Sequence, residues 1–145
     1  MKLTTKGRYA VTAMLDLAMH QAQGPVSVSD IAKRQDLSQS YLEQLFGKLR
    51  KHELVNSIRG PGGGYELTKE PKAITVADIV GAINDSVDTT QCAGAENCRR
   101  GERCLTHNLW SSLNNVISNF LQSVTLADIR TGDFDVPINR KQRES

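Results

Sequence analysis

The sequence predicts a mainly α-helical protein with one small β-hairpin and a long amphipathic helix behind it. Three patterns predict this fold: helical spacing of apolar residues in the first fifty positions, a glycine-rich turn between two short apolar segments, and an uncharged stretch with heptad spacing after residue 104. The chain has 145 residues, 39% of them hydrophobic and 23% charged. These values are typical of a folded globular chain and exclude disordered and collagen-like proteins.

Three helices are expected before the hairpin. The first has an apolar stripe at Ala10, Ala13, Met14, Leu17 and Ala18 and ends at Gly24-Pro25. A second, short helix begins after Ser27, because the pair Ser27 and Asp30 has the spacing of a capping box. The same pattern recurs at Thr75 and Thr125 and predicts two further helix starts.

The third helix follows Ser38, a good N-cap residue. Its inward positions are Leu42, Leu45, Phe46 and Leu49. Two strands are expected at residues 54–58 and 65–68, joined by a turn that runs from Arg59 through Gly64. A short helix, a tight turn, a second helix with a polar outer face and a hairpin together predict a winged helix-turn-helix domain.

The charge distribution supports DNA as the partner. Residues 1–65 hold nine basic and five acidic side chains, whereas residues 66–91 hold two basic and five acidic ones. Ser40, Glu43 and Gln44 are expected to reach base edges, since all three can accept hydrogen bonds in the major groove. The other expected DNA contacts, mainly to phosphates and the minor groove, are Ser38, Gln39, Tyr41, Lys48, Arg50, Lys51, Arg59 and Gly60. Taken singly, the third helix could be an ordinary surface helix and the glycine run an ordinary turn.

The three cysteines of the chain form one cluster with a histidine. Cys92, Cys98 and Cys104 are separated by five residues each, and His107 follows three positions later. Three cysteines cannot all pair in disulfide bonds within one chain, and this favours a reducing compartment and a metal site. The gaps are wider than those of usual structural zinc sites, so an iron-sulfur cluster is favoured over zinc. Three packed cysteines or a redox thiol pair remain alternatives, while His20 and His52 are expected to be ordinary surface residues.

The stretch after the cysteines predicts a helix with a heptad seam. The seam residues are Trp110, Leu113, Ile117, Phe120 and Val124, with Leu109, Val116 and Leu121 beside them. Such a face either packs on the protein's own core or forms a homodimer. A dimer would place two recognition helices on a palindromic DNA site.

Several motifs together resemble the bacterial iron-sulfur cluster regulators, a family of winged helix-turn-helix transcription factors. They are Leu3-Thr-x-Lys-Gly-Arg-Tyr-Ala-Val, Ser40-Tyr-Leu-Glu-Gln-Leu-Phe, Arg59-Gly-Pro-Gly-Gly-Gly-Tyr and the set of three cysteines with His107. The resemblance covers residues 1–130. It implies a homodimeric repressor and activator that binds one 2Fe-2S cluster per subunit through these four residues. It further implies control of iron-sulfur cluster biogenesis genes, cluster supply by the cluster assembly machinery, and site discrimination by Glu43.

The resulting division is a DNA-binding domain at 1–83, a cluster-binding loop at 84–107, a dimerisation region at 108–132 and a disordered tail at 133–145. We expect a cytoplasmic protein without catalytic activity, because the N-terminus lacks the apolar segment of a secretion signal and no catalytic constellation is visible. The uncharged stretch is interrupted by Ser and Asn residues, so it is not expected to span a membrane. A small iron-sulfur electron-transfer protein and a zinc-binding structural regulator are the alternatives.

Overall fold

The computed structural model describes residues 5–83 and 106–132, and these form one helical core with a two-stranded hairpin at its side. The helices and strands are α1 (Thr5–His20), α2 (Val28–Gln35), α3 (Gln39–Lys51), β1 (Val55–Ile58), β2 (Gly64–Leu67), α4 (Val76–Ala82), α5 (His107–Ser123) and α6 (Leu126–Thr131). Short 3-10 turns occupy Gln21–Gln23 and Pro71–Ala73. The predicted mainly helical fold with a hairpin wing is confirmed.

The helix-turn-helix is built from α2 and α3 packed on α1. Ser27 and Ser38 cap the two helices, and their hydroxyls accept hydrogen bonds from the backbone N–H groups of Asp30 and Tyr41. Between the helices, Asp36 adopts a left-handed conformation with φ of 53°. The inward residues of α1 and α3 are completely or almost completely buried, as their spacing predicted: Ala10, Ala13, Met14, Leu17, Leu42, Leu45, Phe46 and Leu49.

The wing is an antiparallel hairpin in which Val55 pairs with Leu67 and Ile58 pairs with Gly64. Both predicted strands are therefore present, each one residue away from its expected start. A third segment joins them, because Val26 and Tyr65 exchange two backbone hydrogen bonds of 2.9 and 2.8 Å. This bridge ties the wing to the residue before the α2 cap. A Cβ on Gly64 would lie 2.3 Å from the carbonyl oxygen of Val26, so the close approach requires glycine.

The C-terminal helices return to the part of the chain that holds α1 to α3. Thr75 and Thr125 each begin a helix with a complete capping box, and the two threonines face each other in an antiparallel bridge. Val76 donates to the carbonyl of Val124, and Leu126 donates to the carbonyl of Ile74. Because Leu126 is fully buried in the main core, residues 5–83 and α6 share one interior.

A smaller apolar cluster lies beneath α5. Val76, Val80 and Val124 form its buried part, and Phe120 and Leu121 pack against it. Val11 of α1 touches both this cluster and the main core. Within the described residues, no helix is both long and apolar enough to cross a membrane.

Candidate nucleic-acid interface and metal site

The outer surface of α3 is polar and open to solvent. Ser40, Glu43 and Gln44 are all exposed and lie on one face, since they are three and four residues apart. Gln39 donates a 3.5 Å hydrogen bond to Glu43, and the hydroxyls of Ser38 and Ser40 are 3.2 Å apart. The four buried residues of α3 fix the opposite face, so this polar row projects from a rigid helix.

Tyr41 joins the start of α3 to α1. It is partly buried, and its ring meets that of Tyr9 edge-on, with ring centroids 5.9 Å apart and an interplanar angle of 86°. The second turn of α1, which begins at Tyr9, therefore lies beside the first turn of α3. The sequence suggested a phosphate contact for Tyr41 but not this packing role.

One basic residue near the end of α3, Arg50, contacts the wing. Arg50 donates a 3.4 Å hydrogen bond to Ser57 of β1, while Lys48 is partly buried and Lys51 is exposed. At the wing tip, Arg59 and Gly60 are both exposed. Gly60 has a φ of 105°, and its carbonyl accepts a 2.9 Å hydrogen bond from Gly63, which closes the turn beyond Arg59. The structure thus brings α3 and the wing together as neighbouring elements.

A buried carboxylate that sequence reasoning missed joins α2 to α1. Asp16 of α1 is only 2% exposed. Arg34 of α2 donates to both of its oxygens, with its Nη2 at 2.7 Å from one and its Nε at 3.0 Å from the other, and Gln35 adds a third donor at 2.8 Å. These contacts lock the end of α2, directly before the turn, onto α1.

The ionisation of Asp16 follows from these neighbours. Burial raises the pKa of the carboxyl group, but the hydrogen bonds from Arg34 and Gln35 and the charge of Arg34 outweigh burial, so the pKa lies below its ordinary value. The hydrogen bond to Asp16 likewise raises the pKa of Arg34. His20, expected to be an ordinary surface residue, places its Nδ1 2.8 Å from the Asp16 carbonyl oxygen. A lone acid beside the apolar stripe of α1 was the only sequence signal for this cluster.

Of the four predicted metal ligands, His107 lies within the described residues. It is the first residue of α5, is 3% exposed, and its Nε2 lies 3.1 Å from the hydroxyl of Ser111. Thr106 precedes the helix but does not cap it through its side chain; its hydroxyl instead accepts a 2.8 Å hydrogen bond from the indole of Trp110. Cys92, Cys98 and Cys104 lie outside the described residues, as do most of the 84–107 segment and the 133–145 tail. Within residues 5–83 and 106–132, no three His, Cys, Asp or Glu side chains group closely enough to hold a metal.

The apolar face of α5 is divided between the protein's own core and solvent. Val124, predicted on the dimer seam, is 5% exposed and packs on Val76 and Val80 of the same chain, so it is not available to a second copy. Trp110, Leu113, Ile117 and Phe120 are partly buried. The open apolar side chains are Leu109 and Val116, which are 59% and 58% exposed. Leu109, Leu113, Val116 and Phe120 have heptad spacing and define the outer seam of α5.

The chain is similar in sequence and in structure to known transcriptional regulators. The family model Rrf2, described as an iron-dependent transcriptional regulator, matches residues 3–131. The chain is 60% identical over 129 residues to ORF2, an HTH-type transcriptional regulator of Azotobacter vinelandii, covering 89% of this chain and 79% of that protein. It is 57% identical, with the same coverage, to the HTH-type transcriptional regulator IscR of Yersinia enterocolitica. Among solved structures, IscR of T. potens matches with a TM-score of 0.75 and 41% identity over 92% of this chain and 89% of that one.

Proposed function

Because this chain belongs to the Rrf2 family of iron-dependent transcriptional regulators, we propose that it binds a palindromic operator as a homodimer and responds to a 2Fe-2S cluster. The genes it would control are those of iron-sulfur cluster biogenesis, and the cluster assembly machinery would supply the cluster. The observation that carries the proposal is the exposed polar row of α3 beside the wing, on a helix whose other face is fully packed. Relatives named as transcriptional regulators favour this function over electron transfer and over catalysis.

In the proposed complex, α3 enters the major groove and the wing tip approaches the adjacent minor groove. Ser40, Glu43 and Gln44 would read base edges. Arg59 and Gly60 would lie in the minor groove, and the remaining interface residues, Ser38, Gln39, Tyr41, Lys48, Arg50 and Lys51, would face phosphates or set the register. Glu43 would discriminate between sites, because a carboxylate accepts a hydrogen bond from cytosine N4 but repels acceptor atoms.

The test of base reading uses an operator selected from random duplexes by the wild-type protein. Gln44→Ala should weaken binding to that operator by about tenfold, since one good base contact contributes roughly 1–3 kcal/mol. Its affinity for random-sequence duplex should stay unchanged. Gln122→Ala, at an exposed glutamine on α5, serves as the matched control. Equal loss on both duplexes would contradict a base-reading role for α3.

Cys92, Cys98, Cys104 and His107 are the proposed cluster ligands. The donor set fits a cluster that carries thiolates and one imidazole, as in sites where histidine replaces cysteine. The described residues support it at His107, because a hydrogen bond at one ring nitrogen fixes the orientation of a metal-ligating histidine, and the His107 Nε2 lies 3.1 Å from the Ser111 hydroxyl. A bound cluster would supply a redox- and iron-sensitive group at the start of α5.

The cluster is tested on protein purified without oxygen. Absorption spectra with iron and sulfide analysis should give two irons and two sulfides per chain, as the 2Fe-2S stoichiometry requires. Ser111→Ala should lose the cluster roughly 10–100 times more readily, because the hydrogen-bond partners of metal-ligating histidines contribute that much to metal affinity. Ser118→Ala, an exposed serine of the same helix, is the control. A colourless protein that contains zinc would overturn the assignment.

The outer seam of α5, with the partly buried Trp110 and Ile117 beside it, is the proposed dimer interface. The helix carries no Asp, Glu, Lys or Arg from His107 to Ser123, so two copies could pack without burying charge. Val116→Asp should give a monomer in sedimentation analysis and should reduce operator affinity. Gln122→Asp adds the same charge at an exposed polar position of α5 and should remain dimeric. A dimeric Val116→Asp protein would place the interface elsewhere.

A further inference from the structure

The first turn of α1 carries two cations whose position the fold does not explain. Lys6 and Arg8 lie in this turn, and both are exposed. A helix N-terminus is positively polarised and favours acidic side chains, yet the first turn of α1 contains no acid. Within residues 5–83 and 106–132, neither cation forms an ion pair. Two positive charges are therefore held where the helix itself disfavours them.

The first turn of α1 leads directly into Tyr9, which contacts α3. Lys6 is one helical turn before Tyr9, and Tyr9 packs edge-on against Tyr41 in the first turn of α3. Gly7, between the two cations, is buried, so the turn is seated against the rest of the domain rather than projecting from it. The only acid of α1, Asp16, is buried and already neutralised by Arg34.

We propose that Lys6 and Arg8, which flank the buried Gly7 on opposite sides of α1, form a second phosphate-binding patch. Each of them would contact one phosphate of the DNA backbone at the edge of the groove that α3 enters. This inference rests on the proposed DNA-binding function and adds to it residues outside the helix-turn-helix and the wing. The matching chemistry is a row of phosphates, because exposed cations attract every DNA phosphate whatever the base sequence. It sets affinity and register and leaves sequence preference to α3.

The test compares the Lys6→Gln/Arg8→Gln double variant with wild type on a random-sequence duplex over a range of salt concentrations. Each lost phosphate contact should reduce the slope of log affinity against log salt by about 0.9, and the affinity near 0.1 M salt should fall about tenfold per contact. The ratio of operator to random-sequence affinity should stay constant. The melting temperature should be unchanged or higher, which separates a lost contact from a damaged fold.

The control variant is Lys69→Gln/Arg130→Gln, which removes the same charge from exposed positions after the wing and on α6. Its salt slope should match that of wild type. An unchanged slope for the Lys6/Arg8 variant, with intact wild-type binding, would overturn the patch alone. A wild-type protein that does not prefer any duplex sequence would instead overturn the proposed function.

Discussion

Replacing Gly64 by alanine should uncouple the wing from the helices without disturbing any charged group. The new Cβ would lie 2.3 Å from the Val26 carbonyl oxygen, 2.4 Å from the Val26 carbonyl carbon and 2.8 Å from the Ser27 nitrogen. All three are backbone atoms, so a side-chain rotation cannot relieve the overlap. The bridge between Val26 and Tyr65 must open, and the Tyr65 ring must move from its position 4.8 Å from the Phe46 ring.

The size of the effect follows from what is lost. Two backbone hydrogen bonds contribute about 0.5–1.5 kcal/mol each, and an aromatic pair adds a similar amount. Gly64→Ala should therefore cost about 2–4 kcal/mol and lower the melting temperature by roughly 10 °C in a domain of this size. Since the wing is then no longer fixed beside α3, operator affinity should fall more than the loss of folded protein explains.

Thermal unfolding followed by circular dichroism, with operator binding measured well below the transition, checks both expectations. Gly81→Ala is the matched control, because a Cβ at this helical glycine meets nothing within 4 Å. It should stabilise the protein by about 0.5–1 kcal/mol, as alanine does in helices. A Gly64→Ala protein that melts within about 1 °C of wild type would refute the overlap argument.

Three further changes probe the core and its caps. Asp16→Asn should cost about 2–3 kcal/mol at pH 7 in chemical denaturation, because Arg34 loses its charged partner. The pKa of Asp16 is lowered in the native state, so the ionised carboxylate stabilises the protein fully above the unfolded pKa of about 3.9, and this stabilisation is lost as the pH falls through the native pKa. The difference in unfolding free energy between wild type and Asp16→Asn should therefore become smaller in acid. A difference that does not change with pH would contradict the ion pair with Arg34. Thr125→Ala removes one side of a capping box and should cost about 1 kcal/mol in the same assay. Leu126→Ala empties a fully buried site and should cost about 2–5 kcal/mol, and a loss below that range would mean that α6 is not part of the core.

Local patterns predicted most of the helices, because caps and apolar spacing act within a few residues. Ser27, Ser38, Thr75 and Thr125 all cap helices as expected. The exposed face of α3 was also predictable, since its four inward leucine and phenylalanine positions leave only one face for the polar residues.

Contacts between distant residues could not be predicted in this way. The carboxylate of Asp16 accepts hydrogen bonds from Arg34, eighteen residues later in the chain, and neither local sequence predicts this pair. The same limit applies to α5, where spacing marks the apolar residues but not the direction in which the helix is turned. Val124 therefore belongs to the chain's own core, whereas Leu109 and Val116 remain open.

The bridge between Ile74 and Leu126 also bears on how the protein is made. Leu126 reaches the same interior as α1 and α3, so the N-terminal half lacks part of its core until residues near the end have been synthesised. A nascent chain is therefore expected to acquire stable DNA-binding geometry only after the segment with the proposed metal ligands has left the ribosome. Partial translation products would then not bind operators. Every molecule able to bind DNA would already contain the proposed cluster ligands.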